Sequence, residues 1–398
     1  MPSMPTSTDV PLSSAYAGEV GTEIVEQPGN PGHENLPRRI GRVFDALLGF
    51  LTLVPFLAVI SAVPLLNLFS LGYLLESSAR VARSGRLRDG FIGYRGFSAI
   101  GKALLCLWIA WLPLRIVYSY WQDAELITPG SPNSRALRLA LIVLSLLFFI
   151  HVTWALIRGG KLRHFLWPAP FRLLRWLGSD WNVGPVIERL RSYVKALRLG
   201  HFFRLGAGGF AGAAMWLALP VLVLFASAQV PQPGLSFLGS FLGSVLLGLV
   251  VMYLPFLQTR YAITTRFRAF REFRSAREAF RRAPLAFWTA LSATLLFALP
   301  LYLLKIELTP DEIAWLPNIV FVLFIFPARL LLGWAMARAD RRESARSWVW
   351  RWLARLGALP VVAIYVFIVW LSQYLSWHGS FGLAEQHAFL VPAPLLGL

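Results

Sequence analysis

The sequence predicts an all-α polytopic membrane protein, and three observations carry that prediction. Of 398 residues, 57% are hydrophobic and the mean hydropathy is +0.59, too apolar to coat a soluble globule of this length. Seven apolar stretches of about the roughly twenty residues that cross a bilayer run over 99–120, 136–157, 207–228, 237–257, 283–304, 319–336 and 356–377. Charge alternates between them: residues 80–102, 158–206, 258–282 and 337–355 hold six, ten, eight and six Lys or Arg, 30 of the chain's 38. The connections 121–134, 229–236 and 305–318 together hold one, Lys305, beside Asp123, Glu125, Glu307, Asp311 and Glu312. By the positive-inside rule the four basic loops belong in the cytoplasm and the C-terminal tail, residues 378–398, outside.

The elements follow in order. Residues 1–36 carry five acids, no Lys or Arg, and many Pro, Ser and Gly. They have almost nothing to bury and are expected to form a disordered acidic arm before a helical membrane domain over 37–377. No cleaved signal is expected, because the first apolar run begins only near Val43. That run, 46–75, is too long for one simple span and contains Pro55, Pro64 and Asn67. It is one kinked span or a hairpin; the arginines on both sides of it favour the hairpin.

The basic loops are more than linkers. Trp167, Trp176 and Trp181 alternate with arginines in 158–206, and RSWVWRWLAR at 346–355 repeats the pattern around Arg351. Aromatic rings favour the headgroup zone and guanidinium groups meet lipid phosphate, so these segments are expected to be interfacial helices. The densest basic stretch, Gln258 to Arg282, reads as one arginine helix. Its Ala269, Phe270, Phe273, Ala276 and Phe280 form an apolar stripe, while Arg268, Arg271, Arg274 and Arg282 lie off it and Arg266 blurs the division. The stripe is expected on membrane or neighbouring helices, and Arg266, Arg268, Arg271, Arg274, Arg282 and Arg351 are the candidate contacts for lipid headgroups or a partner.

Charged and polar groups inside apolar segments are costly and are by default candidate functional positions. They are Arg115, Arg329, Glu76 and Asn67, with His151 beside them. Arg115 is expected to snorkel; Arg329, two residues after Pro327, is expected to lock structure or to meet an anionic solute. Gly208 with Gly212 and Gly239 with Gly243 have the four-residue spacing that lets helices approach, so the spans on either side of 229–236 are expected to pack together.

Several chemistries are excluded. GFSAIGKA, 96–103, has phosphate-loop spacing but ends in Ala103 and opens a span. The six histidines form no HExxH pair, no GxSxG elbow exists, and Cys106 is alone. No catalytic residue, cofactor or metal is expected. Nucleic acid is not expected either, because the +18 charge sits between apolar segments rather than on a polar domain. Mid-span acids for a proton-coupled pump are absent.

PLLNLFSLGYLLESSARVARSGRLRDGF, 64–91, and the stretch 254–334, with LPFLQTRYAITTRFRAFREF and FPARLLLGW, resemble a planctomycete-type bacterial family of multi-pass membrane proteins with a domain of unknown function. The resemblance implies a bacterial inner (plasma) membrane protein and transfers no functional residues. The expected role is non-enzymatic: engagement of anionic lipid, or of a membrane or cytosolic partner, through the basic-aromatic cytoplasmic helices. The alternative is a permease-like transporter of an anionic solute or lipid with Arg329 in its path.

Overall fold

The computed structural model describes residues 36–159, 162–178, 197–303 and 315–375, with isolated positions between 184 and 195 and Leu383. The acidic arm, Lys305 and its neighbouring acids, and almost all of the C-terminal tail lie outside the described residues. Those described form twelve α-helices and no strand. In chain order they are α1 Leu36–Ala62, α2 Asn67–Ser84, α3 Tyr94–Ile127, α4 Pro132–Ile157, α5 Leu162–Leu166, α6 Pro170–Leu177, α7 Leu199–Ala228, α8 Pro233–Thr264, α9 Phe273–Arg282, α10 Pro284–Leu303, α11 Trp315–Asp340 and α12 Trp348–Leu375. The 3₁₀ turns Leu87–Gly90 and Phe267–Arg271 follow α2 and α8. Proline opens α4, α6, α8 and α10, where its missing N–H costs nothing. Ser131 caps α4 by accepting from the Ser134 N–H at 3.1 Å.

The chain divides into two units, residues 1–44 and Asp45–Leu398. Of the first, the described part is the opening of α1, where Ile40, Val43 and Phe44 are exposed. All packing below belongs to the second.

Seven described helices are long and apolar enough to cross a membrane, α1, α3, α4, α7, α8, α11 and α12, and the pair α9–α10, bent by 112°, makes an eighth if counted as one broken span. The expected span over 283–304 is therefore the second arm of a bent pair, and α1 joins the set. The first apolar run is a helix-turn-helix rather than one kinked span. Pro55 sits inside an unbroken α1, while the break comes at 63–66, around Pro64, with Leu65 at φ 66°. Ser61 Oγ donates to Ser70 Oγ at 2.7 Å across the break.

The second half of that run, α2, lies at the centre of the bundle. It packs against α7, α8 and α11, and thirteen of its eighteen residues are buried. Glycines make this possible. A Cβ on Gly72 would overlap the Phe202 carbonyl, and one on Gly206 would overlap the Leu68 carbonyl, so α2 and α7 touch backbone to backbone at a reciprocal pair. Across α2, Gly333 of α11 approaches the Ser78 carbonyl in the same way. The anticipated packing of α7 on α8 is present: Gly239 meets Ser227 and Gly243 meets Leu224. Gly208 and Gly212 instead accommodate the Tyr261 hydroxyl and the Phe270 ring.

The stretch 258–282 is not one helix. α8 runs on through Thr264, the chain turns at Thr265 with φ 54°, makes the 3₁₀ turn and only then enters α9. The anticipated apolar stripe holds in part and faces protein: Phe270, Ala269 and Ala276 are buried, and Phe273 and Phe280 pack on the core. Trp216 and Tyr253 meet the Phe273 ring edge-on, and Phe280 meets Phe287.

By contrast α3 and α4 are peripheral, with only 6% and 11% of their apolar windows buried. Lys102 Nζ pairs with Asp45 at 2.5 Å, tying α3 to α1 rather than simply snorkelling.

Replacing Gly206 or Gly72 by Leu is expected to destabilise the protein by about 3 kcal/mol or more, the upper range for forced overpacking. Gly234→Ala, with no atom within 4 Å of the new Cβ, is expected to leave stability within about 0.5 kcal/mol. Thermal unfolding of the detergent-solubilised variants checks both.

Candidate functional site

The basic loops come together at one end of the bundle. Arg341 Nη2 donates to the Ser84 carbonyl at 3.0 Å, Arg342 Nη1 to the Arg282 carbonyl at 3.3 Å, and the Arg346 N–H to the Arg281 carbonyl at 2.9 Å. The Tyr261 hydroxyl reaches the Arg204 carbonyl at 3.5 Å. Segments 80–102, 258–282 and 337–355, separate in sequence, are thereby joined into one cationic face, with Arg204 of α7 at its side. Arg158, just past α4, donates to the carbonyls of His164 and Trp167 at 2.6 and 2.8 Å and fastens α5 there. Desolvation, then the neighbouring Arg172 guanidinium, push Arg158 below its ordinary value.

On that face Arg266, Arg268, Arg271 and Arg274 are exposed, and Arg282 and Arg351 are half-buried. Arg260, by contrast, is committed to Glu272 at 2.5 Å. The aromatics that accompany the exposed arginines are not the α9 stripe. They are Trp348, Trp350 and Trp352 at the start of α12, all exposed; Trp167 before α6 and Phe171 on it are exposed as well, beside Arg158 at the end of α4. Arg346 stacks on Trp350 at 5.8 Å and Arg355 on Trp352 at 5.7 Å, so ring and guanidinium are presented together.

The four intramembrane candidates occupy separate environments. Arg115 is exposed on α3, over the Trp111 ring at 5.5 Å. Asn67 is buried at the first residue of α2, nine residues and so roughly 13 Å of helix from Glu76. The Glu76 carboxylate accepts from Arg83 at 2.7 Å and Arg80 at 3.4 Å, and lies 3.3 Å from His201 Nε2. It thus ties α2 to the start of α7.

Arg329 is 1% exposed and its Nη1 donates to Gln258 Oε1 at 2.9 Å. Gln258 Nε2 in turn donates to the Gly209 carbonyl at 3.3 Å, and the Thr259 and Ser78 hydroxyls meet at 3.0 Å. This run of polar contacts crosses from α11 through α8 to α7 and α2. Gln258, Thr259, Ser78 and His201 were missed as site residues in the sequence; the signal available was a Gln-Thr pair at the end of an apolar run and a Ser-Ser pair inside one. Groups of three or more His, Cys, Asp or Glu able to hold a metal are absent among the described residues. His151 instead contacts the Phe165 carbonyl at 2.7 Å.

Gln258→Leu, which strips a buried guanidinium of a partner, is expected to cost about 3 kcal/mol or more. Arg329→Met is expected to cost less, about 1–3 kcal/mol, because it leaves the neutral Gln258 amide, rather than a buried charge, short of that bond. The double variant should fall short of the sum of the two by 1 kcal/mol or more, about the coupling of residues in one network. Denaturant unfolding of the three variants checks the cycle.

No protein-family model, curated protein or solved structure matches the chain, so its fold and its cationic face stand on their own geometry.

Proposed function

We propose that this is a non-enzymatic, multi-pass membrane protein whose basic end binds an anionic lipid surface. The observation that carries the proposal is the convergence of the basic segments 80–102, 258–282 and 337–355, with Arg204 of α7 beside them, where Trp348 and Trp352 are exposed. Exposed arginine and tryptophan in one surface match the headgroup region, where phosphate meets the guanidinium and the indole lies between water and hydrocarbon. At about 1 kcal/mol per basic residue close to an anionic leaflet, a handful of exposed arginines suffices for firm attachment. The positive-inside rule supports a cytoplasmic placement of this face, and the resemblance of 64–91 and 254–334 to a bacterial family supports a bacterial inner membrane as the setting.

The permease-like alternative requires Arg329 on a solute path. A guanidinium 1% exposed and bonded to Gln258 supports a structural tie instead.

With Arg266, Arg268, Arg271 and Arg274 all changed to Gln, protein held in zwitterionic nanodiscs is expected to lose tenfold or more of its flotation with phosphatidylglycerol vesicles, from about 1 kcal/mol per residue attenuated by incomplete contact. Flotation equal to wild type would refute the reading.

A further inference from the structure

At the edge of the cationic face, inside the corner made by α9 and α10, a cleft of about 110 Å³ opens between α8, α9, α10 and α12. That is room for a narrow slot rather than a bulky solute. Its composition divides by position. The walls are apolar, with Tyr253 and Phe256 from α8, Phe287 and Leu291 from α10, and Ala354 and Ala358 from α12. Among the described residues, the charged groups lining it are Arg277 of α9 and Arg355 of α12.

The bend explains this division. Turning the chain by 112° at Ala283 lays α9 across the end of the bundle while α10 continues along it, so one corner presents arginine from its first arm and aromatics from its second. Small side chains keep the space open: Ala276, Ala354 and Ala358 line it where larger residues would fill it. Neither guanidinium is occupied by a carboxylate among the described residues. Arg355 lies over the Phe280 and Trp352 rings, each at 5.7 Å, which holds its charge in place without neutralising it.

We infer that this cleft binds one molecule of an anionic phospholipid, its phosphate on Arg277 and Arg355 and an acyl chain along Phe256, Phe287 and Leu291. The inference rests on reading the basic end as lipid-facing and goes further, because it assigns one stoichiometric site rather than a surface. Charge complementarity selects the occupant. Two uncompensated cations beside an apolar slot match a molecule that is anionic at one end and hydrocarbon at the other. A soluble phosphate would leave the slot empty, and a neutral lipid would leave both arginines unmatched.

Native mass spectrometry of the detergent-purified protein, titrated with phosphatidylglycerol or phosphatidylcholine, tests this. Wild type is expected to retain one phosphatidylglycerol in preference to phosphatidylcholine. Arg277→Gln with Arg355→Gln is expected to lower that retention about thirtyfold, the equivalent of about 1 kcal/mol for each charge. Ala358→Phe, which fills the slot and leaves every charge in place, is expected to abolish the one-lipid adduct while flotation with anionic vesicles stays at wild-type level. Equal retention of the two lipids by wild type, or unchanged retention in the double arginine variant, overturns the site. That variant alters only exposed side chains, so it decides the matter even if Ala358→Phe fails to fold. A protein that holds one phosphatidylglycerol but does not float refutes the surface reading and leaves the cleft standing; one that floats without the adduct does the reverse.

Discussion

The architecture depends on how closely α2 approaches its neighbours. Gly72 against Phe202, Gly206 against Leu68 and Gly333 against Ser78 bring three helices to backbone contact, a distance any side chain would prevent. Hydrocarbon gives helices no hydrophobic reason to associate, so packing at such glycines has to supply it. Once α2 is held there, Glu76 reaches His201, Ser78 reaches Thr259, and Tyr73 donates to the Ile92 carbonyl at 3.1 Å. The polar contacts are consequences of that approach.

The same geometry explains how a guanidinium can be enclosed among spans. Arg329 is tolerated because Gln258 presents a carbonyl oxygen to it and is itself anchored on Gly209, whose missing side chain leaves room beside Leu75. Burying a charge is expensive unless it is hydrogen-bonded, and here the bonding partners come from α8 and α7. Charge therefore has two uses in this protein. Inside, Arg329 and Glu76 join helices; outside, the uncompensated arginines of the basic end and of the α9–α10 corner remain available to something anionic.

Much of this was legible in the sequence, and what was not shares a cause. Apolar runs locate α3, α4, α7, α8, α11 and α12, because they depend on each residue's own preference for water or hydrocarbon, and three of the four basic segments, 80–102, 258–282 and 337–355, are in contact with one another. The end of α8 was misjudged because Gln258 and Thr259 look like the start of a separate polar helix, yet both are buried at the end of α8, bonded to α7, α11 and α2. Phe270 and Ala276 were correctly seen as one apolar group, but periodicity alone leaves open whether lipid or protein covers them. The central place of α2 was hidden for the same reason. Its serines, Glu76 and arginines lower its hydropathy, and its burial comes from partners more distant in sequence.

That last feature bears on how the protein is assembled in the cell. A helix carrying Glu76, Arg80 and Arg83 in its second half has little tendency to partition into a bilayer alone. The helices that enclose it begin only at Leu199 and Trp315. α2 therefore reaches its final seat late, after its flanking sequence has been made and when α7 and α11 are present to receive it. The seat of α2 thus depends on chain made more than a hundred residues after it, so a truncation before Leu199 would leave its charged half with none of the helices that enclose it.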